Sequence, residues 1–117
     1  MAVVTRKGLT LTGGDVSSEG GGAILTGSAL TLQDSIITGN HADGPGGGVF
    51  GSVRTRTITI ERSKFDSNST YGYYHDGGGA FVTLTNYSTL NVYDTVFTGS
   101  RAEGNEANGG NVFACAV

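Results

Sequence analysis

The sequence contains few of the residues that cross-link, kink or anchor a chain. Its 117 residues include one cysteine, one proline and no tryptophan. The lone cysteine, Cys115, excludes an internal disulfide and offers no thiol pair for zinc. No apolar run reaches the length of about 18 residues that a membrane-spanning helix needs, and none follows the charged N-terminus as in a secretory signal. The sequence therefore predicts neither a disulfide scaffold nor a membrane-spanning segment.

Charged residues are also scarce, at 15% of the chain against about 25% in ordinary proteins. The formal net charge of -3 argues against nucleic acid as a partner, because phosphate binding needs clustered positive charge. Glycine pairs such as Gly47-Gly48 lead directly into apolar residues and do not form the calcium-binding repeat GGxGxD. We therefore expect no metal and no cofactor.

Glycine is the residue in excess, with 21 copies, and it is distributed periodically. Glycine clusters open at Gly20, Gly46, Gly77 and Gly109, at spacings of 26, 31 and 32 residues, and each leads into a pair of apolar residues. A period of about 20 to 50 residues is typical of solenoids and other repeat proteins. Because only glycine adopts positive φ freely, we expect the clusters to form tight corners.

A second block repeats without a gap over residues 30–44, 58–72 and 90–104. Apolar and polar residues alternate at its start, as in a β-strand. The phase of this alternation then slips by one residue, near Asp34, Arg62 and Asp94. Each repeat therefore predicts three short strands separated by bends.

The recurring short strands predict an all-β fold, a parallel β-helix of about three and a half coils with three short strands per coil. A degenerate first copy aligns three apolar residues with the block that follows: Leu9, Leu11 and Val16 with Leu30, Leu32 and Ile37. The chain is predicted to form one domain with the following coils: 1–19 (partial), 20–45, 46–76, 77–108 and 109–117 (partial).

Equivalent residues of successive coils should stack in columns about 4.8 Å apart. Three interior columns are expected: Ile24, Phe50, Phe81 and Phe113; Leu30, Ile58 and Leu90; and Ile37, Phe65 and Phe97. Asn40 and Asn68 follow a strand at a turn, where an amide bonds to neighbouring backbone and stacks on its equivalent, so we interpret both as structural. A further column offers no partner for a metal: His41, Ser69 and Arg101.

Two short strings carry a family resemblance, Gly21-Gly22-Ala23-Ile24 and Phe65-Asp66-Ser67-Asn68. They resemble the GGA[I/L/V] and FxxN repeats of the chlamydial polymorphic membrane proteins, whose passenger domains belong to the pectin-lyase-like, right-handed β-helix superfamily. The resemblance spans roughly residues 9 to 113. It implies a right-handed coil and an exported surface protein used in adhesion. The first function hypothesis is therefore a non-catalytic recognition or spacer segment at the cell surface.

One loop holds the most concentrated side-chain chemistry: Tyr71, Tyr73, Tyr74, His75 and Asp76. Tyrosine rings stack on sugars while their hydroxyls form hydrogen bonds, so this loop is the predicted contact for a carbohydrate or a surface protein. The alternative is that the rings cover the edge of the coil. Catalysis by His75 with Asp76 is disfavoured, because no serine or cysteine nucleophile is placed with them in the sequence.

The second function hypothesis is a polysaccharide lyase or glycoside hydrolase, since enzymes with this fold use converging carboxylates. The catalytic candidates are Asp34, Glu61, Asp66 and Asp94, with Arg62 as a base. The stacked order Asp34, Arg62, Asp94 also predicts a surface ladder of ion pairs, which is the interpretation we favour. Three or more carboxylates, or two with an arginine, that converge within about 6 to 9 Å in an outward groove would favour the enzyme. Dispersal of these groups over several faces favours recognition.

The sequence ends at residues 113–117 partway through a coil, with an apolar face uncovered. We interpret the chain as a fragment of a longer solenoid. The alternative is that the open coil associates end to end with another chain. The predicted partners are therefore a carbohydrate or a surface protein, with self-association through the last coil as a further prediction.

Overall fold

The computed structural model describes residues 4–17, 20–54, 56–72, 75–85 and 87–116. Over these residues the chain forms sixteen short strands, and it has no helix of the length and apolar character needed to cross a membrane. In chain order the strands are β1 (Val4–Lys7), β2 (Thr10–Thr12), β3 (Asp15–Val16), β4 (Ile24–Thr26), β5 (Leu30–Gln33), β6 (Ile36–Thr38), β7 (His41–Ala42), β8 (Val49–Arg54), β9 (Thr57–Glu61), β10 (Lys64–Asp66), β11 (Ser69–Tyr71), β12 (Ala80–Thr85), β13 (Thr89–Tyr93), β14 (Val96–Thr98), β15 (Arg101–Glu103) and β16 (Val112–Ala116).

The strands pair in parallel to form four sheets, and every neighbour in a sheet is one coil away along the chain. Sheet A is β1-β5-β9-β13, sheet B is β2-β6-β10-β14, sheet C is β3-β7-β11-β15 and sheet D is β4-β8-β12-β16. This is the arrangement of a parallel β-solenoid. The predicted all-β, parallel solenoid fold is therefore confirmed, and its right-handed sense stays a prediction.

Each full coil has four strands, one more than predicted. The additional strand belongs to sheet C and follows the asparagine position, with two residues in β7 and three each in β11 and β15. Strands this short contain too few residues for their alternation to be recognised in a sequence. The three predicted strands of a coil correspond to sheets D, A and B.

The terminal strands of the sheets are β1 to β4 at one end and β13 to β16 at the other. Among the described residues, each of these strands pairs along one edge only. The end-to-end association proposed for the last coil would use the second edge of β16. It stays a prediction.

The apolar core lies between the sheets. The registers of sheets A and B contain two of the predicted interior columns: Leu30, Ile58 and Leu90, and Ile37, Phe65 and Phe97. The rings of Phe65 and Phe97 stack with their centroids 4.6 Å apart, and Phe65 is fully buried. Burying a side chain of this kind stabilises a fold by about 1.5–3 kcal/mol. These two predicted columns are confirmed as stacks within the core.

The third predicted column is correct in stacking Phe50, Phe81 and Phe113, but it is wrong in including Ile24 and in facing the interior. Ile24 pairs with Val49, whereas Phe50 pairs with Leu25. Val49 is fully buried and Leu25 is 54% exposed, so the two columns face opposite sides of sheet D. Side chains alternate across a strand, and an error of one residue in register therefore exchanges the faces. The interior column is Ile24, Val49, Ala80 and Val112. The side chains of two residues of the predicted column lie outside the described part of the structure: Phe81 and Phe113.

The predicted register of the first, partial coil is also wrong. The sequence alignment placed Leu11 with Leu32, but Leu11 pairs with Ile37. The segment that pairs with Leu30–Gln33 is Val4–Lys7. A Leu-x-Leu pattern fits either strand of the repeated block, and β1 lacks that pattern. Pattern matching therefore assigned the leucines to the wrong strand.

The predicted bends between sheets A and B are present. The three bend residues all have positive φ: Asp34 (49°), Arg62 (46°) and Asp94 (48°). A non-glycine residue in this conformation costs about 1 kcal/mol or more, so neighbouring contacts must hold it there.

A ladder of hydroxyl groups, which the sequence analysis did not predict, supplies these contacts. Ser35 Oγ donates to the carbonyl of Gln33 at 2.7 Å, and Ser63 and Thr95 make the same bond within their own coils. Each hydroxyl also accepts a backbone N–H from the coil before it, as when the Ser35 N–H donates to Ser63 Oγ at 3.2 Å. The ladder thus fixes each bend and links it to the next coil.

Asn40 and Asn68 form the predicted stack and are both buried. Asn68 Oδ1 accepts from Asn40 Nδ2 at 3.0 Å and from the Asn40 N–H at 3.1 Å. Asn68 Nδ2 donates to the carbonyl of Ile37 at 2.8 Å, and Asn40 Oδ1 accepts the N–H of Gly14 at 2.9 Å. The amides therefore bond the backbone at the corner between sheets B and C, as predicted.

Candidate functional site

The outer face of sheet C carries a polar cleft of about 460 Å³. The strand registers place two rows of side chains along it. The sheet C cleft is defined by His41, Ser69 and Arg101 in one row, by Tyr71 and Glu103 in the other, and by Asp43, which directly follows β7 and lines the same cleft. Residues i and i+2 of a strand share a face, which is why β11 and β15 each contribute to both rows.

His41 connects Ser69 to Asp43 within the cleft. His41 Nδ1 lies 2.8 Å from Ser69 Oγ, and His41 Nε2 lies 3.0 Å from Asp43 Oδ1. An ionised carboxylate only accepts hydrogen bonds, so in a neutral imidazole Nε2 carries the proton and Nδ1 accepts the hydroxyl of Ser69. The hydrogen-bond chain therefore runs from Ser69 through His41 to Asp43.

Arg101, Glu103 and Tyr71 form the more exposed side of the cleft. The guanidinium of Arg101 pairs with the carboxylate of Glu103 on the same strand, and both side chains are solvent-accessible. Exposed pairs of this kind contribute at most about 1 kcal/mol, so a ligand can compete for both groups. Tyr71 pairs in register with Glu103, is 60% exposed, and also lines a second cavity, of about 210 Å³, with Gly72 and Gly104.

The cleft contains more negatively than positively charged side chains. Asp43 and Glu103 supply two carboxylates, and Arg101 supplies one guanidinium. No group of three or more His, Cys, Asp or Glu side chains is placed to hold a metal ion in the part of the chain that the structure describes. With a neutral His41, the cleft therefore carries a net negative charge.

Two of the five predicted contact residues lie outside the described residues: Tyr73 and Tyr74. Of the others, Tyr71 is exposed, whereas His75 and Asp76 hold the coil together. His75 Nδ1 lies 3.0 Å from the carbonyl oxygen of Tyr71, and Asp76 Oδ1 accepts the N–H of Asn108 in the next coil. The side chains of His75 and Asp76 therefore both contact backbone groups of the solenoid.

Arg62 lies at the bend between sheets A and B and contacts two carboxylates. Its Nε and Nη2 lie 2.8 Å and 3.2 Å from the two oxygens of Asp34, and Nη1 contacts Glu61. The hydrogen bond from Arg62, together with the positive charges of Arg62 and Lys7, holds the pKa of Asp34 below its ordinary value of 3.8. The hydrogen bond to Asp34 in turn raises the pKa of Arg62. Arg62 is therefore an ion-pair partner and is poorly suited to accept a proton.

The remaining carboxylate candidates do not join this pair. Asp94 takes part in no ion pair within the described ranges, and Asp66 lies in sheet B, where Lys64 Nζ is 3.9 Å from its Oδ2. None of these groups lines the sheet C cleft or the cavity beside Tyr71. Two carboxylates therefore do meet an arginine, as the enzyme hypothesis requires, but Asp34, Glu61 and Arg62 line neither the sheet C cleft nor the cavity beside Tyr71.

The sheet C cleft was not among the predicted sites, although part of its signal is present in the sequence. The gap-free alignment placed His41, Ser69 and Arg101 in one column, which predicted no metal site. A strand assignment over these residues would have added Asp43 and Glu103, two positions further along and on the same face. The brevity of the sheet C strands concealed that alternation.

Comparison with known proteins assigns the chain to no family. No family model, curated protein or solved structure matches it. Its function has to follow from the chemistry of its own side chains, and the sheet C cleft is where those side chains meet a cavity.

Proposed function

We propose that the chain is a recognition segment of a surface-displayed β-solenoid and that it binds carbohydrate in the sheet C cleft. The observation that carries this proposal is the position of Tyr71. Tyr71 is exposed, borders two cavities, pairs in register with Glu103 and shares the larger cavity with Arg101.

The exposed ring of Tyr71 suits the face of a sugar. Tyr71 is 60% exposed, yet its strand pairs on both sides, with β7 and with β15. An aromatic ring gains most from burying its apolar face against a ligand, and a ring on a fixed backbone loses little entropy when it does so. The strand therefore presents Tyr71 as a preorganised platform.

The polar groups of the cleft suit sugar hydroxyls. Each hydroxyl both donates and accepts, and Arg101 supplies planar donors while Asp43 and Glu103 supply acceptors. Two carboxylates against one guanidinium disfavour an anionic ligand. The charge balance therefore favours a neutral sugar over a uronate.

Surface display is supported by the repeat strings. GGAI at residues 21–24 and FDSN at residues 65–68 resemble the passenger repeats of the polymorphic membrane proteins. Membership of the pectin-lyase-like superfamily and a role in adhesion belong to the same proposal. An extracellular solenoid of that kind presents long, regular faces for recognition.

Polysaccharide cleavage is the less favoured function. A lyase needs a base that accepts a proton, and Arg62 is held by Asp34 and Glu61. A hydrolase needs two carboxylates facing a bound sugar, and the candidates Asp34 and Asp66 line neither of the cavities that Tyr71 borders. The two carboxylates that do line the cleft have other partners: Asp43 bonds to His41, and Glu103 pairs with Arg101. Recognition therefore accounts better for the arrangement.

A glycan array containing neutral and acidic oligosaccharides tests the proposal, followed by calorimetric titration with the neutral oligosaccharide that binds most strongly. Replacing Tyr71 by Ala removes the platform, and we expect the affinity to fall about tenfold, or about 1.4 kcal/mol. Arg101→Ala should weaken binding as well. Tyr93 is 53% exposed on sheet A, so Tyr93→Ala is a matched control that should leave the affinity unchanged.

Three results would contradict the proposal: no glycan bound, equal affinity in the Tyr71→Ala variant, or an equal loss in the Tyr93→Ala variant. The double variant Tyr73→Ala, Tyr74→Ala separates the cleft from the predicted loop. If this double variant alone loses binding, the glycan binds at the predicted loop and not in the sheet C cleft.

A further inference from the structure

Ser69 differs from Ser35, Ser63 and Ser67 in the partner of its hydroxyl. The Ser35 and Ser63 hydroxyls donate to carbonyl groups of the backbone, and Ser67 donates to the carboxylate of Asp66. Ser69 Oγ instead lies 2.8 Å from an imidazole nitrogen, Nδ1 of His41. An imidazole at that distance is a base placed to take the hydroxyl proton.

The second nitrogen of His41 has the partner that such a base needs. Asp43 accepts from Nε2 at 3.0 Å, which keeps the proton on Nε2 and leaves the lone pair of Nδ1 directed at Ser69. A nucleophile, a base and a carboxylate that orients the base form the arrangement of an activated serine. The two ring nitrogens are exchanged relative to serine proteases, while the roles of the three groups are the same.

The surroundings of Ser69 are accessible and contain a cation. His41, Asp43 and Ser69 all line the cleft of about 460 Å³. Arg101 pairs in register with Ser69 from the next strand and lines the same cleft, where its guanidinium also contacts Glu103 in an exposed ion pair that a ligand can displace. A positive charge beside the attacked carbonyl stabilises the oxyanion that forms when the serine adds to it.

We propose that Ser69 is a nucleophile activated by His41 and that the sheet C cleft cleaves small acyl esters, such as an O-acyl group carried by a sugar. This activity goes beyond recognition. It does not depend on glycan binding, because a small ester reaches Ser69 without occupying the platform at Tyr71.

The reaction consists of two balanced steps. In the first, Ser69 Oγ forms a bond to the carbonyl carbon of the ester, its proton passes to His41 Nδ1, and the bond between the carbon and the alcohol oxygen breaks. The alcohol leaves with the proton from His41. In the second, water gives a proton to His41 and its oxygen bonds to the acyl carbon. The bond to Ser69 Oγ then breaks, the proton returns to Ser69, and a carboxylic acid is released.

A fluorophosphonate probe tests the nucleophile directly. Attack by Ser69 forms an oxygen–phosphorus bond and releases fluoride, so the intact protein gains a defined mass that peptide mapping assigns to one residue. We expect labelling at Ser69, no labelling of Ser69→Ala, and labelling about 100-fold slower in His41→Ala. Hydrolysis of p-nitrophenyl acetate should fall in the same order. Ser52→Ala, at an exposed position on sheet D, should keep the full rate of labelling.

Further variants separate chemistry from structure. His41→Asn retains a polar side chain without a base, and we expect labelling as slow as in His41→Ala. Asp43 acts through His41 as a positioning residue, so Asp43→Asn should slow labelling and Asp43→Glu should restore part of the rate. Circular dichroism and thermal unfolding identify any variant that has lost the fold.

Three outcomes would overturn the proposal: no labelling of the wild-type chain, labelling spread equally over several serines, or an unchanged rate at Ser69 in a folded His41 variant. None of these outcomes concerns glycan binding, which the Tyr71→Ala and Tyr93→Ala variants test separately. A failure of the nucleophile is therefore distinguishable from a failure of the recognition site.

Discussion

The side-chain amide of Asn40 donates from Nδ2 to Oδ1 of Asn68 at 3.0 Å, from one coil of the solenoid to the next. The same oxygen accepts the backbone N–H of Asn40 at 3.1 Å. Asn68 Nδ2 donates to the carbonyl of Ile37 at 2.8 Å. Both asparagines are buried, so water does not replace these bonds when one is lost. The pair therefore ties the corner between sheets B and C to its neighbouring coils.

Asn68→Ala should be among the most destabilising single substitutions at a polar position. It leaves the N–H of Asn40 and the carbonyl of Ile37 buried without their partners, and the expected cost is about 3 kcal/mol of unfolding free energy. Urea unfolding measures it. Asn105→Ala, at an exposed position, is the control and should change stability by less than about 0.5 kcal/mol. An equally small effect for Asn68→Ala would show that the ladder contributes little.

The column assignment in sheet D can be tested by adding one oxygen to each face. Val49→Thr is nearly isosteric and places a hydroxyl in the sealed interior, so we expect a loss of about 1–3 kcal/mol. Phe50→Tyr adds a hydroxyl on the opposite face, which is half-buried, and should cost less than about 0.5 kcal/mol. Chemical denaturation of both variants provides the comparison. The reverse order of costs would restore the predicted column in which Phe50 is interior.

Sequence reasoning predicted the solenoid because periodicity is a property of the whole chain. The Leu30, Ile58 and Leu90 column followed from an alignment without gaps, and it is correct. In sheet D the alignment followed the largest residues, although the pleat of the strand places Val49 inside and Phe50 outside. Choosing between two adjacent apolar residues requires the register, which is a tertiary property.

The candidate site was less accessible to sequence reasoning than the fold. Tyrosines and carboxylates were identified by residue type, and of the tyrosine cluster Tyr71 borders the cleft. The bond between His41 and Ser69 joins residues 28 positions apart in the sequence. It depends on the rotamers and spacing of side chains on neighbouring coils, and no local pattern encodes these.

The ion pair between Asp34 and Arg62 should make the free energy of unfolding depend on pH in the acid range. The pKa of Asp34 in the folded chain lies below its ordinary value of 3.8, because Arg62 hydrogen-bonds to the ionised carboxylate. A lowered folded pKa means that the contribution is present above about pH 3.8 and is lost as the pH falls through the folded value. The free energy of unfolding should be measured from pH 7 to pH 2. We expect it to be higher for wild type than for Asp34→Asn near pH 7, and we expect the two values to converge near pH 2.

Asp94→Asn provides the matched control for this pH dependence. Asp94 occupies the same bend one coil after Arg62, with nearly the same φ, and forms no ion pair in the described part of the chain. The difference in unfolding free energy between wild type and Asp94→Asn should therefore stay constant from pH 7 to pH 2. If Asp94→Asn shows the same pH-dependent loss as Asp34→Asn, the pairing at the bend is shared and the assignment to Asp34 is wrong.

The glycine clusters prove to have two different physical roles. Gly46 has a φ of 72°, as expected for a corner residue. Gly47 does not have positive φ, and its constraint is space: a Cβ on it would overlap the carbonyl oxygens of Ser69 and Gly78. Each coil therefore needs one glycine to turn and a second so that backbones can meet.

Gly47→Ala should accordingly destabilise the fold and disturb the cleft together. The added methyl meets backbone atoms of β11, which cannot rotate away as a side chain can, and we expect a loss of about 3 kcal/mol. The displaced strand carries Ser69, so labelling by a fluorophosphonate should slow even under conditions where the variant is folded. Gly27→Ala is the control, because its nearest neighbour would lie 3.8 Å away; it should be neutral or stabilise by about 0.5 kcal/mol. Equal stability of the two alanine variants in thermal unfolding would show that the coils can separate locally at Gly47.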